Sequence, residues 1–311
     1  MSEMKTPFRL LITGALGQTG TELVQRGREA GYDIAAFTRE DLDISDSDAV
    51  ARAIAATVPA AVINAAAYTA VDRAESEPEA ARAINSLAPG FIARACHEAG
   101  IPMFHISTDY VFDGMGSIPY PEDAPISPQG VYGATKAAGE EAVRRATPHH
   151  IILRTSWVFS AHGQNFVKTM LRLAGERDEL NVVDDQRGCP TGAGDIADAL
   201  LTIARLALEA PRDQAFPWGT YHFSNRGETS WCGFARAIVE GSATRGGRKV
   251  EVRGIATADY PTPARRPAYS VLDCGKIQRT FGIHPRAWED ALAETLDPLT
   301  NPAHRTEGRS K

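Results

Sequence analysis

The order strand, glycine turn, helix within the first two dozen residues restricts this chain more than any other feature. Phe8-Arg9-Leu10-Leu11-Ile12-Thr13 is an apolar run with the pattern of a buried strand, Gly14-Ala15-Leu16-Gly17-Gln18-Thr19-Gly20 follows at once, and Thr21-Glu22-Leu23-Val24 reads as helix. Glycines let the backbone turn sharply and lie close to a ligand, and the first amides of the helix suit a pyrophosphate. Glycine turns also occur without ligands. The position of this one, directly between a strand and a helix, points to a dinucleotide, with Gly14, Leu16, Gly17, Gln18, Thr19 and Gly20 as candidate contacts.

A second strand, Tyr32 to Phe37, runs into Thr38-Arg39, where an acidic residue would hold the ribose 2′-hydroxyl of NAD. Arg39 favours a 2′-phosphate instead, so NADPH is expected, with NADH the alternative because Glu40 and Asp41 follow immediately. Asp41-Leu42-Asp43-Ile44 alternates in polarity and reads as a third strand, with Asp43 and Ile44 at the adenine rim and Ser45 capping the next helix. Ala60 to Asn64 is a fourth strand; the small residues Ala65, Ala66 and Ala67 after it let backbone approach a cofactor. Phe104-His105-Ile106 ends a fifth, and His149 to Phe159 supplies a sixth with Trp157 near its end. Six strand candidates, most separated by helices, give an α/β class of the Rossmann type, a doubly wound parallel sheet.

Beyond Phe159 the elements shorten and Pro and Gly increase, which predicts a smaller C-terminal substrate lobe. The expected division is residues 1–157 plus about 181–215 for dinucleotide binding and about 158–180 plus 216–300 for substrate, with 301–311 a flexible tail.

The chemistry is concentrated between Phe104 and Lys136. Ser107 and Thr108 close a strand, at the sheet edge where open α/β folds place ligands. Tyr132 and Lys136 stand four apart in a helical segment and so share one face. A free phenol has a pKa of about 10, and a fixed neighbouring cation favours the phenolate. Tyr and Lys at this spacing also occur on ordinary surface helices; Thr108 and the glycine turn are what distinguish this pair.

Bulk properties exclude several classes. Thirty-three basic and thirty-nine acidic residues give a net charge of −6 with no long block of either sign, so neither nucleic acid nor an anionic membrane surface is an expected partner. Cys96, Cys189, Cys232 and Cys274 are widely spaced, without metal-ligand spacing, and read as reduced thiols of a cytoplasmic protein. The first residues lack the apolar core of a signal peptide, and secretion is not expected.

With Gly14-x-x-Gly17-x-x-Gly20, Ser107-Thr108-Asp109-Tyr110-Val111-Phe112-Asp113-Gly114 and Tyr132-x-x-x-Lys136 in one chain, the sequence resembles the extended short-chain dehydrogenase/reductases. Within them it resembles the dTDP-4-dehydrorhamnose reductase family, through Ala65 to Asp72, Asn165-Phe166-Val167, Gly188 to Gly192, and Arg266-Pro267 with Ser270. The resemblance implies hydride transfer from NAD(P)H to the C4 ketone of a nucleotide sugar. It assigns Tyr132 as proton donor, Lys136 to the nicotinamide ribose and to lowering the phenol pKa, and Thr108 to the carbonyl oxygen. Thr69, Val71, Asp72, Asp109 and Trp157 would contact the sugar. Dehydratases of the superfamily carry Asp-Glu after the Thr; Asp109-Tyr110 here implies a reductase, the alternatives being another nucleotide-sugar reductase or epimerase of the same superfamily, or a non-catalytic regulatory subunit resembling the methionine adenosyltransferase beta subunit. Some bacterial members dimerise through Mg2+ held by acidic residues. Glu22 matches one, but Gly194-Asp195 departs from the pattern, so a homodimer is an alternative to the monomer while its bridging by Mg2+ is not expected unless Asp195 substitutes.

Overall fold

The computed structural model describes residues 7–211 and 215–300. At its centre β1 (Arg9–Thr13), β2 (Asp33–Phe37), β3 (Ala61–Asn64), β4 (Met103–Thr108), β5 (His150–Thr155) and the edge strand Gly219–His222 form one parallel sheet, ordered β2-β1-β3-β4-β5 and then the edge strand. The chain leaves β1 to one side and returns to β3 on the other. Between them lies the switch point at whose carboxyl edge such sheets bind ligands.

Both faces of the sheet are covered, which is why its strands read as unbroken apolar runs. Leu10, Ile12, Ile63, Phe104 and Leu153 pack against Leu23 of α1 (Gln18–Glu29) and Ile196 and Leu200 of the helix Ala193–Glu209. Leu11, Val62, Met103 and Ile152 face Val50 and Ile54 of α2 (Ser47–Thr57), and, further along, Ile92 of the helix Ala88–Glu98 and Val143 of the helix Val131–Ala146. Each fully buried Leu, Ile or Val contributes about 1.5–3 kcal/mol, so this two-faced core fixes the strand order.

Between β3 and β4 run α3 (Val71–Ala74), α4 (Pro78–Arg82), a π-helical turn at Ala83–Leu87 and α5 (Ala88–Glu98). The π turn places Asn85 where its side chain bonds both the N–H and the C=O of Tyr68, closing the loop after β3. Next come α6 (Val131–Ala146), α7 (Phe166–Glu176), α8 (Ala193–Glu209) and α9 (Trp231–Ala243). A second core joins α7, α9 and the helix Trp288–Thr300 through Val167, Met170, Phe234, Ile238 and Leu292.

The structure corrects four expectations. Asp41 to Ile44 is no strand: Asp41 Oδ2 accepts from Thr38 N–H (2.9 Å) and Asp43 Oδ1 from Ser45 N–H (2.9 Å), and these local bonds compete with a ladder. Leu42 and Ile44 are buried all the same, which is the source of the alternation. The sixth expected strand is β5 but stops at Thr155, short of Trp157, and a further strand, Gly219–His222, pairs with it at the edge. Asp46, not Ser45, caps α2, accepting from Asp48 and Ala49 N–H.

The lobe division also differs. Glu179–Val183 pairs with Glu251–Ile255 in a separate two-stranded sheet of the small lobe, whereas Tyr221, Phe223 and Ile277 belong to the main core. A strand of five residues goes where its partner is, and that partner is far away in sequence. The proposed tail at 301–311 lies outside the described residues.

Candidate active site

The glycine turn is built for close approach. Gly14 has φ +71°, and a Cβ there would lie 2.6 Å from Ala66 N; a Cβ on Gly20 would lie 2.0 Å from Gly14 O. Gly17 N–H donates to Gly14 O (2.9 Å), and α1 begins behind it with no side-chain cap, leaving first-turn amides to face the cleft. A bare helix N-terminus in a cradle without side chains fits the pyrophosphate of a dinucleotide. Leu16 is 75% exposed, while Thr19 is buried. Gln18 Oε1 accepts from Asn165 Nδ2 (2.9 Å), tying the start of α1 to the small lobe.

The other cofactor candidates separate. Ala65 to Ala67 lie beside Gly14 at the end of β3, and Arg39 stands exposed just beyond β2, with no ion pair among the described residues. Asp43 is exposed, but the Ile44 side chain is 6% exposed and packed in the core, so only its backbone can reach an adenine rim.

Thr108 is the last residue of β4. Its Oγ1 donates to Asp109 Oδ1 (2.9 Å) and accepts from Tyr110 N–H (3.2 Å). Tyr132 enters from the first turn of α6, whose terminus is capped from a distance: Glu75 Oε1 accepts from Val131 N–H at 2.8 Å. Its ring meets Tyr110 edge-on, centroids 5.4 Å apart. Burial pushes the Tyr132 phenol above its ordinary pKa, against a smaller opposing hydrogen bond with Thr108. The phenol is therefore protonated, as a proton donor must be.

One turn on, Lys136 is 2% exposed, its Nζ donating to Ile106 O (2.7 Å) with His105 Nε2 at 3.5 Å. Burial pulls Lys136 itself down to about 8, against the charge of Glu140.

Asp109 is 3% exposed and its Oδ2 has no hydrogen-bond partner. Burial pushes its carboxyl up to about 6 from an ordinary 3.8, outweighing the hydrogen bond from Thr108. The folded state thus holds the proton more tightly. The cost of the charge is fully present above pH 6 and is relieved as pH falls to the ordinary value. Asp109→Asn is expected to stabilise the ligand-free protein at pH 7 by on the order of 1–3 kcal/mol, with the difference closing below about pH 4. Denaturant midpoints of both proteins across that range check it, and a difference independent of pH would contradict it.

On the sugar side Thr69 is exposed and Val71 and Asp72 half-buried. Asp72 pairs with neither Arg73 nor solvent alone: its Oδ2 accepts from Arg266 Nη2 (2.6 Å), and Arg266 Nη1 also donates to Tyr110 Oη (3.1 Å). Trp157 lies beyond β5 at φ +49°, stacked on Trp231 with centroids 3.6 Å apart. A Cβ on Gly188 would fall 2.5 Å from the Trp157 ring, so glycine there is needed for the indole to lie flat. Arg266, Ser270, Asn64 and His105 were not among the sequence-derived site residues. Arg266 and Ser270 carried a signal in the Arg-Pro-x-x-Ser pattern; His105 lay hidden in an apolar strand.

Near Glu22, the carboxylates are committed to guanidinium groups. Arg26 binds Glu22 (2.9 Å), Asp198 (2.7 Å) and Glu294 (2.8 Å), and Arg286 binds Asp195 (2.8 Å) and Glu294. Among the described residues no group of three or more His, Cys, Asp or Glu side chains is set to hold a metal. Within the single chain Glu22, Asp195, Asp198 and Glu294 each have an arginine partner.

The family model for the RmlD substrate binding domain matches residues 8–301. A protein named dTDP-4-dehydrorhamnose reductase from Sinorhizobium fredii is 47% identical over 284 residues, covering 91% of this chain and 95% of that protein. Among solved structures, a dTDP-4-dehydrorhamnose reductase from Clostridium acetobutylicum superimposes with a TM-score of 0.87 at 37% identity, covering 94% of this chain and 100% of the other. The Bacillus anthracis reductase in complex with NADP gives a TM-score of 0.86 at 36% identity, covering 93% and 99%.

Proposed function

The chain belongs to the family of the RmlD substrate binding domain, and from that premise we propose that it reduces the C4 ketone of dTDP-4-dehydro-L-rhamnose to dTDP-L-rhamnose with NAD(P)H. One observation carries the reading: Thr108, Tyr132 and Lys136 converge on the carboxyl edge of β4 in a chain that matches such reductases over nearly its full length.

When bound, the nicotinamide cofactor supplies the hydride. The chain supplies position and the proton. The glycine turn and the amides opening α1 hold the pyrophosphate. As charge develops on the C4 oxygen, the Tyr132 phenol donates its proton there and the Thr108 hydroxyl turns from Asp109 to hydrogen-bond the same atom. Asp109, Val71, Asp72 with Arg266, and Trp157 shape the sugar pocket. Tyr110 occupies the position where a dehydratase has a second acid, and its hydroxyl is taken by Arg266, which leaves one proton donor for one reduction.

Arg39 is read as the partner of the 2′-phosphate of NADPH. Arg39→Ala is expected to weaken NADPH by about tenfold or more and NADH little, since a charge-assisted contact is worth about 1.5–3 kcal/mol. Fluorescence titration with both cofactors checks this; equal loss would make Arg39 a surface residue. Unpaired thiols and the absence of any membrane-spanning helix among the described residues support a cytoplasmic site of action. Incubating the protein with NADPH and dTDP-4-dehydro-L-rhamnose and following nicotinamide absorbance tests the activity. No oxidation, or cofactor retained tightly through purification, would favour an epimerase or a regulatory subunit.

A further inference from the structure

Behind Lys136 runs a buried row of polar side chains that the reaction as described leaves unused. Thr13 Oγ1 donates to Asn64 Oδ1 (2.7 Å), Asn64 Nδ2 lies 3.0 Å from His105 Nδ1, and His105 Nε2 lies 3.5 Å from Lys136 Nζ. Asn64 and His105 are fully buried. Parallel pairing sets the row: Thr13 lies opposite Asn64, and Asn64 opposite His105, across β1, β3 and β4.

The direction of each bond can be assigned. Ala66 N–H, which can only donate, points at Asn64 Oδ1 (3.2 Å), and this fixes the amide orientation. Asn64 Nδ2 is then a donor, so His105 Nδ1 must accept. Burial, with the neighbouring Lys136 and His150, keeps the ring neutral, so its one proton sits on Nε2 and faces Lys136. An ammonium has no lone pair to receive it; a free amine has one.

We propose that Asn64 locks His105 in the Nε2–H tautomer, and that this N–H, by favouring the amine over the ammonium, makes Lys136 a group that exchanges its proton at working pH. His105 is thus a positioning residue, acting through Lys136. The other groups facing Lys136 are Glu140 on its own helix and the Ile106 carbonyl on β4; His150 faces His105 from β5. Glu140 favours the ammonium, but its carboxylate is shared among Arg154, Arg144 and Ser107.

The test reads Lys136 directly and needs no substrate, so it stands or falls apart from the reductase reading. With 13Cε-labelled lysine, six residues in the chain, the Lys136 resonance is followed against pH in the whole protein. A midpoint near 8 is expected; one near 10 would overturn the proposal in the wild type alone. Asn64→Asp accepts a proton from Nδ1, turns Nε2 into an acceptor for the ammonium, and should raise the midpoint by about one unit or more, a tenfold change in proton affinity. His105→Phe, which fills the space without an N–H, should also raise it, and His105→Gln, which restores an N–H donor, should return it toward the wild-type value. A folded Asn64→Asp or His105→Phe with an unmoved midpoint would overturn the proposal. In the active enzyme the same variants should move the basic limb of the kcat/KM profile by the same amount.

Discussion

Replacing Tyr132 by phenylalanine is expected to lower kcat by about a hundredfold or more while leaving nicotinamide cofactor affinity within about twofold. The hydroxyl is the only part removed, and the ring keeps its edge-on contact with Tyr110. On the proposed reading cofactor affinity rests on the glycine turn, Arg39 and Lys136, none of which loses a partner. The proton must then come from water or from Thr108, whose hydroxyl is too weak an acid to replace a positioned phenol. Steady-state kinetics with a fluorescence titration of the cofactor separates the two effects. Unchanged turnover would remove Tyr132 from the mechanism.

Arg154→Met is expected to cost about 3–5 kcal/mol of stability. Arg154 and Glu140 are each 1% exposed. The guanidinium binds the carboxylate through two bonds, Nε to Oε1 at 2.8 Å and Nη2 to Oε2 at 2.7 Å, while Nη1 donates to Glu122 O (3.1 Å) and lies 3.3 Å from His222 Nε2. Burial holds His222 down to about 3, with Arg154 adding to the effect, so that imidazole is neutral and can accept. Burial alone would push Glu140 up, but Arg154, Ser107 and Arg144 together hold it below 4.5. In the wild type this carboxylate stabilises the fold above its ordinary pKa and the contribution is lost as pH falls through the lowered value. In Arg154→Met much of that counter-charge is gone. The variant should therefore lose most stability at neutral pH and recover part of it on acidification. Denaturant midpoints at several pH values check this, and a loss under about 1 kcal/mol would show that Arg144 and Ser107 suffice. A second change, Glu140→Leu, should restore much of the loss, because a buried charge without its partner costs more than an apolar pair.

What could be read from the sequence was what depends on local geometry. Tyr132 and Lys136 lie one helical turn apart, Thr108 ends a strand, and Gly14 opens a turn; each follows from rules spanning a few residues. Pairings across the fold were out of reach. Asp72 meets Arg266 and Arg154 meets Glu140 only because the sheet and the two lobes bring them together. Asp41 to Ile44 imitated a strand since Leu42 and Ile44 are buried, although Asp41 and Asp43 bond their own backbone. Gly219–His222 was too short to stand out, yet β5 gave it a partner. Trp157 was expected inside a strand and lies beyond it, because its left-handed backbone rests on Trp231 and Gly188, both distant in sequence.

The central claim is that hydride passes from the nicotinamide to C4 of the sugar, with Tyr132 supplying the proton. Running the reaction in ordinary water with NADPH carrying deuterium at C4, each stereoisomer in turn, tests it most directly. One of the two labelled cofactors should deliver its deuterium to C4 of dTDP-L-rhamnose, with one cofactor oxidised for each product formed. Deuterium kept on the nicotinamide with both isomers, or sugar converted without net oxidation of the cofactor, would contradict it.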